Sequence, residues 1–394
     1  MNPSTILVTT SGRDRPGVTA ALFAALAAHD VDVLDVEQVT IRGRLIAGVL
    51  LVLHGDPASL RRSVGQAASA LGVEHEVVLV SDSPAAAPVG ESSLLHVIVL
   101  GRQLRPGAIA AVCQRIADAG GSIGTITQLS RTPIASLELT VAGENPAIRE
   151  ALAMAAMASG LAVAVQRADL ARRSKRLVVL DLDAVLVQGD GIGELAALAG
   201  TGAEAAAIAE SVRRGELTAA DGLAARVRLL SGLPLSQLHR ARDELRLAAG
   251  TRTLIRALKR LGYAVGLVSG GCTALIENLV AELAPDFAAA NVLRVSNGRL
   301  TGELTGELVD PAGKAPALDR FAAELGVSLT QTVAIGDGTR DAGLLQRAGL
   351  GIAFNSQTVL RPAEGTVNPP FLDVVLHVLG MSRAELEAGS LKPA

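Results

Sequence analysis

The residues with the greatest chemical potential in this chain sit at the ends of apolar runs. Leu177-Val178-Val179-Leu180 leads directly into Asp181-Leu182-Asp183. Unbroken apolar runs of this kind are strands buried on both faces, as in parallel sheets, whose ligands lie beyond the strands' carboxyl ends. Two carboxylates placed there are costly unless something cationic binds. Residues 264–268 lead in the same manner into Ser269-Gly270-Gly271, and residues 332–335 into Gly336-Asp337-Gly338, with Lys314 between them in Pro311-Ala312-Gly313-Lys314 and Asp341 following. The chemistry on offer is therefore carboxylate, hydroxyl and ammonium groups gathered along one edge of a sheet.

From Arg176 onward strands and helices alternate, which predicts an α/β domain with a parallel sheet. The sequence before that point has a different texture. Arg15-Pro16-Gly17, Ala20-Ala21 and Gln38 recur at one fixed offset as Arg105-Pro106-Gly107, Ala110-Ala111 and Gln128, an internal repeat. Each copy reads as a β-branched run (6–9; 97–100), a Pro-Gly turn, an amphipathic helical stretch and an alternating strand. A further strand (47–53; 135–141), a helical stretch (57–70; 146–158) and a last strand complete βαββαβ, predicting a four-stranded antiparallel sheet with two helices on one face. The Pro/Ala/Ser-rich segment 81–93 links the copies, and the charged stretch 167–176 leads out of the second. The expected domains are 1–84, 92–168 and 175–385.

On Asp14-Arg15-Pro16-Gly17 and Leu104-Arg105-Pro106-Gly107 each copy resembles the ACT domains, ferredoxin-like α+β modules that sense amino acids in metabolic enzymes. The resemblance implies an effector amino acid near Asp14, Gly17 and Gly107, often across a dimer interface, with glycine permitting close backbone approach. The second copy lacks the Asp. A dimerisation scaffold with Pro-Gly as turn punctuation fits the same residues.

The ordered set Asp181, Asp183, Ser269, Lys314, Asp337, Asp341 resembles the haloacid dehalogenase superfamily of phosphotransferases, whose fold is a Rossmann-like parallel-sheet core with a cap. Both a phosphate monoester and a carboxylate nucleophile are anionic, so a divalent cation has to neutralise them while holding them in line. Mg²⁺ is expected, held by oxygen ligands. The resemblance implies the Asp181 and Asp337 carboxylates and the Asp183 carbonyl as ligands, with Asp341 supporting the shell. Asp181 would form an aspartyl phosphate, and Asp183 would protonate the leaving group and then deprotonate the hydrolytic water. Ser269 and the Gly270 and Gly271 amides would face the phosphate, and Lys314 would meet its equatorial oxygens.

A mostly helical insertion at about 190–247 falls where small members of the superfamily carry a cap that excludes water and reads the leaving group. Arg226-Val227-Arg228-Leu229-Leu230-Ser231-Gly232-Leu233-Pro234 is similar to the cap of the phosphoserine phosphatase family. By that resemblance Arg226 holds the substrate carboxylate, and Asp190 stands where the family has a Glu for the substrate ammonium. A solvated arginine and a helix N-cap fit the same two residues. The expected substrate is O-phospho-L-serine and the expected place the last step of serine biosynthesis. Homodimerisation and feedback by L-serine follow from the same resemblance. Several positions depart from the family. Ala184-Val185 replace Ser-Thr, Ala219 replaces an aromatic residue, Cys272 replaces Phe, and Arg340 stands beside Asp337, where it binds phosphate or obstructs the site. A phosphatase for another small monoester and a non-catalytic amino-acid-binding regulator are the alternatives.

Other classes are disfavoured. Net charge is -3, with no basic block interleaved with aromatics, so nucleic acid is not an expected partner. The longest apolar stretch, 151–165, falls short of the roughly 20 residues of a spanning helix. Residues 1–10 lack a signal-peptide pattern, and a cytoplasmic location is expected. Cys113 and Cys272 are too few for a disulfide framework, and the six histidines are scattered singly. Neither a P-loop nor a Gly-x-Gly-x-x-Gly opening a helix after a strand occurs.

Overall fold

In strand β1 (Ser4–Arg13) every second residue from Ile6 onward is buried, the period of a strand covered on one face. The computed structural model describes residues 3–80, 94–143, 146–152, 160–168, 172, 174–187, 190–338, 340–354, 365–367 and 371–390. Two compact units divide it, Met1–Pro88 and Val89–Ala394.

In the first unit β1 is followed by α1 (Val18–Leu26), β2 (Val31–Ile41), β3 (Arg44–Leu53), α2 (Pro57–Leu71) and β4 (Glu74–Leu79). The sheet order is β2-β3-β1-β4, all antiparallel. Val8 faces both Val49 and Val77, and with Leu22, Leu26, Leu60 and Val64 it forms the core under the helices. Asp56 caps α2 by accepting from the Ala58 and Ser59 amides at 3.0 Å each, and Gly72 closes the helix at φ 63°. This is the βαββαβ module expected from the repeat.

The second unit opens with β5 (Leu94–Gly101), α3 (Pro106–Asp118), β6 (Ser122–Ser130), β7 (Ala135–Ala142) and β8 (Ala162–Arg167). Residues 146–152 of the expected helix 146–158 are helical, and the remainder of it lies outside the described residues, as do the linker 81–93 and part of 167–176. The parallel core follows with β9 (Leu177–Asp181). Next come the cap helices α4 (Gly191–Leu198), α5 (Gly202–Arg213), α6 (Ala219–Arg228) and α7 (Leu235–Glu244), then α8 (Thr251–Arg260) and β10 (Ala264–Cys272). It continues through α9 (Thr273–Leu283), β11 (Phe287–Ser296), β12 (Arg299–Thr305), α10 (Lys314–Leu325), β13 (Thr332–Gly336), α11 (Ala342–Arg347), β14 (Leu350–Phe354) and β15 (Gly365–Val367). The chain ends in α12 (Val375–Val378) and α13 (Arg383–Ser390).

The second repeat departs from a separate four-stranded sheet. Its strand β8 pairs antiparallel with β15, matching Gly365 to Ala164 and Thr366 to Val163, so module and core share one 11-stranded sheet in the order β12-β11-β10-β9-β13-β14-β15-β8-β5-β7-β6. The buried Gln166 side chain strengthens the join by donating to the Val378 carbonyl at 2.6 Å.

The two Pro-Gly pairs also differ. Gly17 is the N-cap of α1 at φ 96°, a conformation that L-residues avoid, whereas Gly107 is the second residue of α3 and has no positive φ. An added methyl meets nothing within 4 Å at either place, so backbone alone separates them. Gly17→Ala is expected to lower stability by about 1–2 kcal/mol, while Gly107→Ala is neutral or stabilising by up to about 1 kcal/mol. Urea unfolding of the full chain followed by circular dichroism checks this, and equal losses for both variants would refute the distinction.

Candidate active site

All five residues of β9 are buried, and the strand lies between β10 and β13, with Val268 paired to Asp181 and Ile335 to Leu180. That register puts Asp181 at the carboxyl end of the central strand, flanked by the ends of β10 and β13. Lys314 opens α10 after a turn in which Asp310 Oδ1 accepts from the Gly313 amide at 2.8 Å. Its Nζ donates to Asp181 Oδ1 at 2.7 Å and to Asp341 Oδ1 at 2.6 Å. All three side chains are buried.

The charges tune one another. Burial opposes the Lys314 charge, but Asp181 and Asp341 outweigh it and hold the ammonium above its ordinary range. Asp341 is pushed up to about 6, first by burial and then by the charge of Asp181, against the pull of Lys314. Its Oδ2 also accepts from the Asp337 amide at 2.8 Å, which fixes the turn after β13. Gly336 is required there, because a Cβ would stand 2.4 Å from Asp341 Cβ.

After Asp181 the chain enters a single π-helical turn, Leu182–Leu186, which swings Asp183 over the end of β10. Ser269 Oγ donates to Asp183 Oδ1 at 2.7 Å, and the Gly270 and Gly271 amides donate to Oδ2 at 2.5 and 3.3 Å. Hydroxyl and backbone donors thus converge on an anion, but the anion is the Asp183 carboxylate, whereas the sequence led to the expectation that they face a phosphate. The cradle depends on a residue that sequence reasoning missed. Buried Asn291 donates to the Gly270 carbonyl at 3.0 Å and the Val309 carbonyl at 2.9 Å, and accepts from the Val309 amide at 2.8 Å. The one available signal was an asparagine inside the largely apolar strand β11.

Arg340 lies against Asp337. Its Nε and Nη2 each stand 2.7 Å from Oδ2, and its backbone amide donates to Oδ1 at 3.2 Å. Asp181, Asp337 and Asp341 offer only hard oxygen donors, the set suited to a small divalent cation. By donor type the residues fit such an ion. Among the described residues, however, no three His, Cys, Asp or Glu side chains form a ready metal-binding group. Arg340 occupies Asp337 instead.

In the cap, Asp190 is the N-cap of α4, accepting from the Gly193 amide at 3.2 Å, and it also pairs with Arg226 on α6. Arg226 Nε is buried and has no hydrogen-bond acceptor among the described residues. Glu194, one helical turn after Asp190 and not singled out from sequence, is raised above the ordinary carboxylate range by burial and by Asp190 and Glu244. Ala219 is half-buried at the start of α6, and Val185 is buried in the core. The side chain of Ala184 and the whole of Thr339 lie outside the described residues. Cys272 is buried and its thiol is pushed up to about 11, chiefly by burial, which keeps it inert. In the ACT-like modules Asp14 accepts from Thr40 Oγ1 at 3.2 Å, and Gly107 sits within the first turn of α3.

The structure therefore joins Asp181, Lys314, Asp341, Asp337 and Arg340 in one network, Asp183, Ser269, Gly270 and Gly271 in a second, and Asp190 with Arg226 in a third. Removing Asn291 would leave the Gly270 and Val309 backbone groups unpaired. Asn291→Ala is expected to cost about 2–4 kcal/mol in urea unfolding, and a loss under about 0.5 kcal/mol, the scale of an ordinary surface substitution, would show that the cradle stands without it.

Residues 178–346 match the haloacid dehalogenase-like hydrolases, and residues 4–78 and 93–166 each match an ACT domain. The chain is 48% identical to the phosphoserine phosphatase of Streptomyces coelicolor over 98% of this chain and 94% of that protein. It is 44% identical to phosphoserine phosphatase SerB2 of Mycobacterium tuberculosis over 97% and 95%. Among solved structures, a probable phosphoserine phosphatase from Vibrio cholerae superposes with TM-score 0.59 at 29% identity, over 77% of this chain and 90% of that one. Phosphoserine phosphatases of the haloacid dehalogenase type use a divalent metal. With this fold, two ACT domains and near full-length similarity at these identities, the chain belongs to the phosphoserine phosphatase family of haloacid dehalogenase-like hydrolases.

Proposed function

We propose that this chain hydrolyses O-phospho-L-serine to L-serine and phosphate through an aspartyl phosphate on Asp181, the last step of serine biosynthesis. The observation that carries this reading is Asp181 at the tip of the central strand, oriented by Lys314, with Asp183 beside it in a cradle of hydroxyl and amide donors. An Asp181 oxygen attacks phosphorus while the ester P–O bond breaks, and Asp183 gives a proton to the departing serine oxygen. Asp183 then takes a proton from water, whose oxygen attacks phosphorus and releases Asp181. Lys314, Ser269, Gly270 and Gly271 carry the charge that builds on the phosphoryl oxygens.

Mg²⁺ is the proposed ion, held by the Asp181 and Asp337 carboxylates and the Asp183 carbonyl, with Asp341 behind them. The chemistry it supplies when bound is neutralisation of the repulsion between carboxylate and phosphate. In the cap, the Nε of Arg226, without a hydrogen-bond acceptor among the described residues, supports a role in holding the substrate carboxylate, and Asp190, with Glu194 a turn away, supplies negative charge for the ammonium. The ACT domains are proposed to bind L-serine near Asp14, Gly17 and Gly107. A homodimer is supported by the exposed apolar side chains of β2, among them Leu34, Val39 and Ile41. No described helix is long and apolar enough to cross a membrane, and the proposed location is the cytoplasm.

Phosphate release from O-phospho-L-serine, measured with Mg²⁺ and with EDTA beside phosphothreonine and an aryl phosphate, tests the assignment. Turnover is expected to need the metal, to vanish in Asp181→Asn, and to show a KM raised about 10- to 100-fold in Arg226→Met, the scale of one charge-assisted pair. Cleavage of the aryl phosphate alone would move the substrate to another monoester.

One observation favours the non-catalytic regulator instead, namely that Arg340 holds both Asp337 oxygens. Because that guanidinium is largely exposed, its hold is worth about 1 kcal/mol. Arg340→Asn is therefore expected to tighten Mg²⁺ binding about 5-fold in calorimetry. Unchanged affinity would mean that Arg340 yields to the ion without cost.

A further inference from the structure

Between the second ACT domain and the catalytic core lies a cavity of about 370 Å³, within the range of small-ligand sites. Its walls are the Pro133–Ile134 turn of the ACT domain, one face of α8, and the C-terminal helices α12 and α13 with the segment before them. These walls are fixed to one another. The Arg383 guanidinium donates to the Thr132 carbonyl, so α13 grips the turn. The Leu372 amide donates to the Ala249 carbonyl at 2.8 Å, and a Cβ on Gly250 would stand 2.8 Å from the Asp373 amide, so the C-terminal segment is sealed against the start of α8.

The lining has two characters. Arg256 and Arg260, one turn apart on α8, and Arg383 bring three guanidinium groups to it. Two acids offset them in part. Glu385 is engaged at the start of its own helix by the Ser382 amide and hydroxyl, each at 2.7 Å. Asp373 is raised above the ordinary carboxylate range by burial. Arg256 has neither an acidic nor a carbonyl partner among the described residues. Between the charges the wall is apolar, with Ile134 and Leu376 buried and Leu261 exposed. Forked cations beside apolar side chains suit a ligand with a planar anionic group on a hydrophobic body.

We infer that this cavity is a binding site for a small organic carboxylate with an apolar body, separate from the catalytic centre and from the Pro-Gly turns of the ACT domains. The carboxylate meets Arg256 and Arg260, and the body packs on Ala257, Leu261 and Leu386, the apolar lining residues that keep accessible surface over the buried Ile134 and Leu376. An occupant would touch the ACT domain and α8 together, and α8 leads directly into β10, whose end carries Ser269, Gly270 and Gly271.

The test is fluorine NMR of 4-fluorobenzoate with the full-length protein, using 4-fluorobenzamide as the uncharged counterpart. Saturable millimolar or tighter binding of the benzoate is expected. It should weaken about 10-fold or more in the double variant Arg256→Ser, Arg260→Ser, since each guanidinium offers a charge-assisted hydrogen bond. Ala257→Trp, which fills the cavity from α8, should also remove it, with circular dichroism showing both variants folded. Inorganic phosphate and O-phospho-L-serine should leave binding unchanged. The inference is overturned if no saturable binding occurs, if the benzamide binds equally, if the arginine and tryptophan variants bind as before, or if phosphate displaces the benzoate.

Discussion

The site depends on one buried ammonium. Lys314 lies between Asp181 and Asp341, and its two hydrogen bonds join the end of β9, the start of α10 and the turn after β13. Burying three ionised groups carries a large desolvation cost, and removing one partner leaves an uncompensated charge. The surrounding structure meets that constraint in detail. Asp310 shapes the turn that delivers Lys314, Gly336 lets Asp341 close against β13, and the Asp337 amide takes the remaining Asp341 oxygen. The catalytic geometry is thus a property of three loops held together by charge, on strands whose own positions are set by burial.

Much of this was legible in the sequence because it rests on local patterns. Apolar runs ending in Asp181, Ser269 and Asp337 are strands of a parallel sheet, and the structure brings those ends together as adjacent strands. The βαββαβ repeat followed from alternation and turn residues, and Asp190 as a helix cap from its place before an apolar stretch. What escaped depends on tertiary partners. Asn291 acts through carbonyls of two distant loops, and nothing in its neighbours' types points to them. The pairing of β15 with β8 rests on three residues, Gly365–Val367, too short a stretch for any period to register. Gly17 and Gly107 look equivalent in sequence, yet only one occupies a left-handed conformation.

The two ends of the site are built on different principles. At the sheet, groups are buried and mutually satisfied, so their positions are fixed before a substrate arrives. At the cap, the Asp190 carboxylate is exposed and Arg226 retains a buried donor without an acceptor among the described residues. Phosphoryl chemistry requires the first arrangement, and recognition of a zwitterionic leaving group suits the second. Arg340 belongs to neither, being an exposed cation set on the Asp337 carboxylate.

The shared sheet bears on how this architecture can be taken apart. Because β8 covers β15, excising the second ACT domain would not release a finished catalytic domain but would bare a strand edge with unpaired amides and carbonyls. Such edges recruit other strands, and shortened versions of the chain would be prone to self-association. The second ACT domain is thus more than a neighbour of the core, since its strand β8 closes the sheet edge that β15 would otherwise expose.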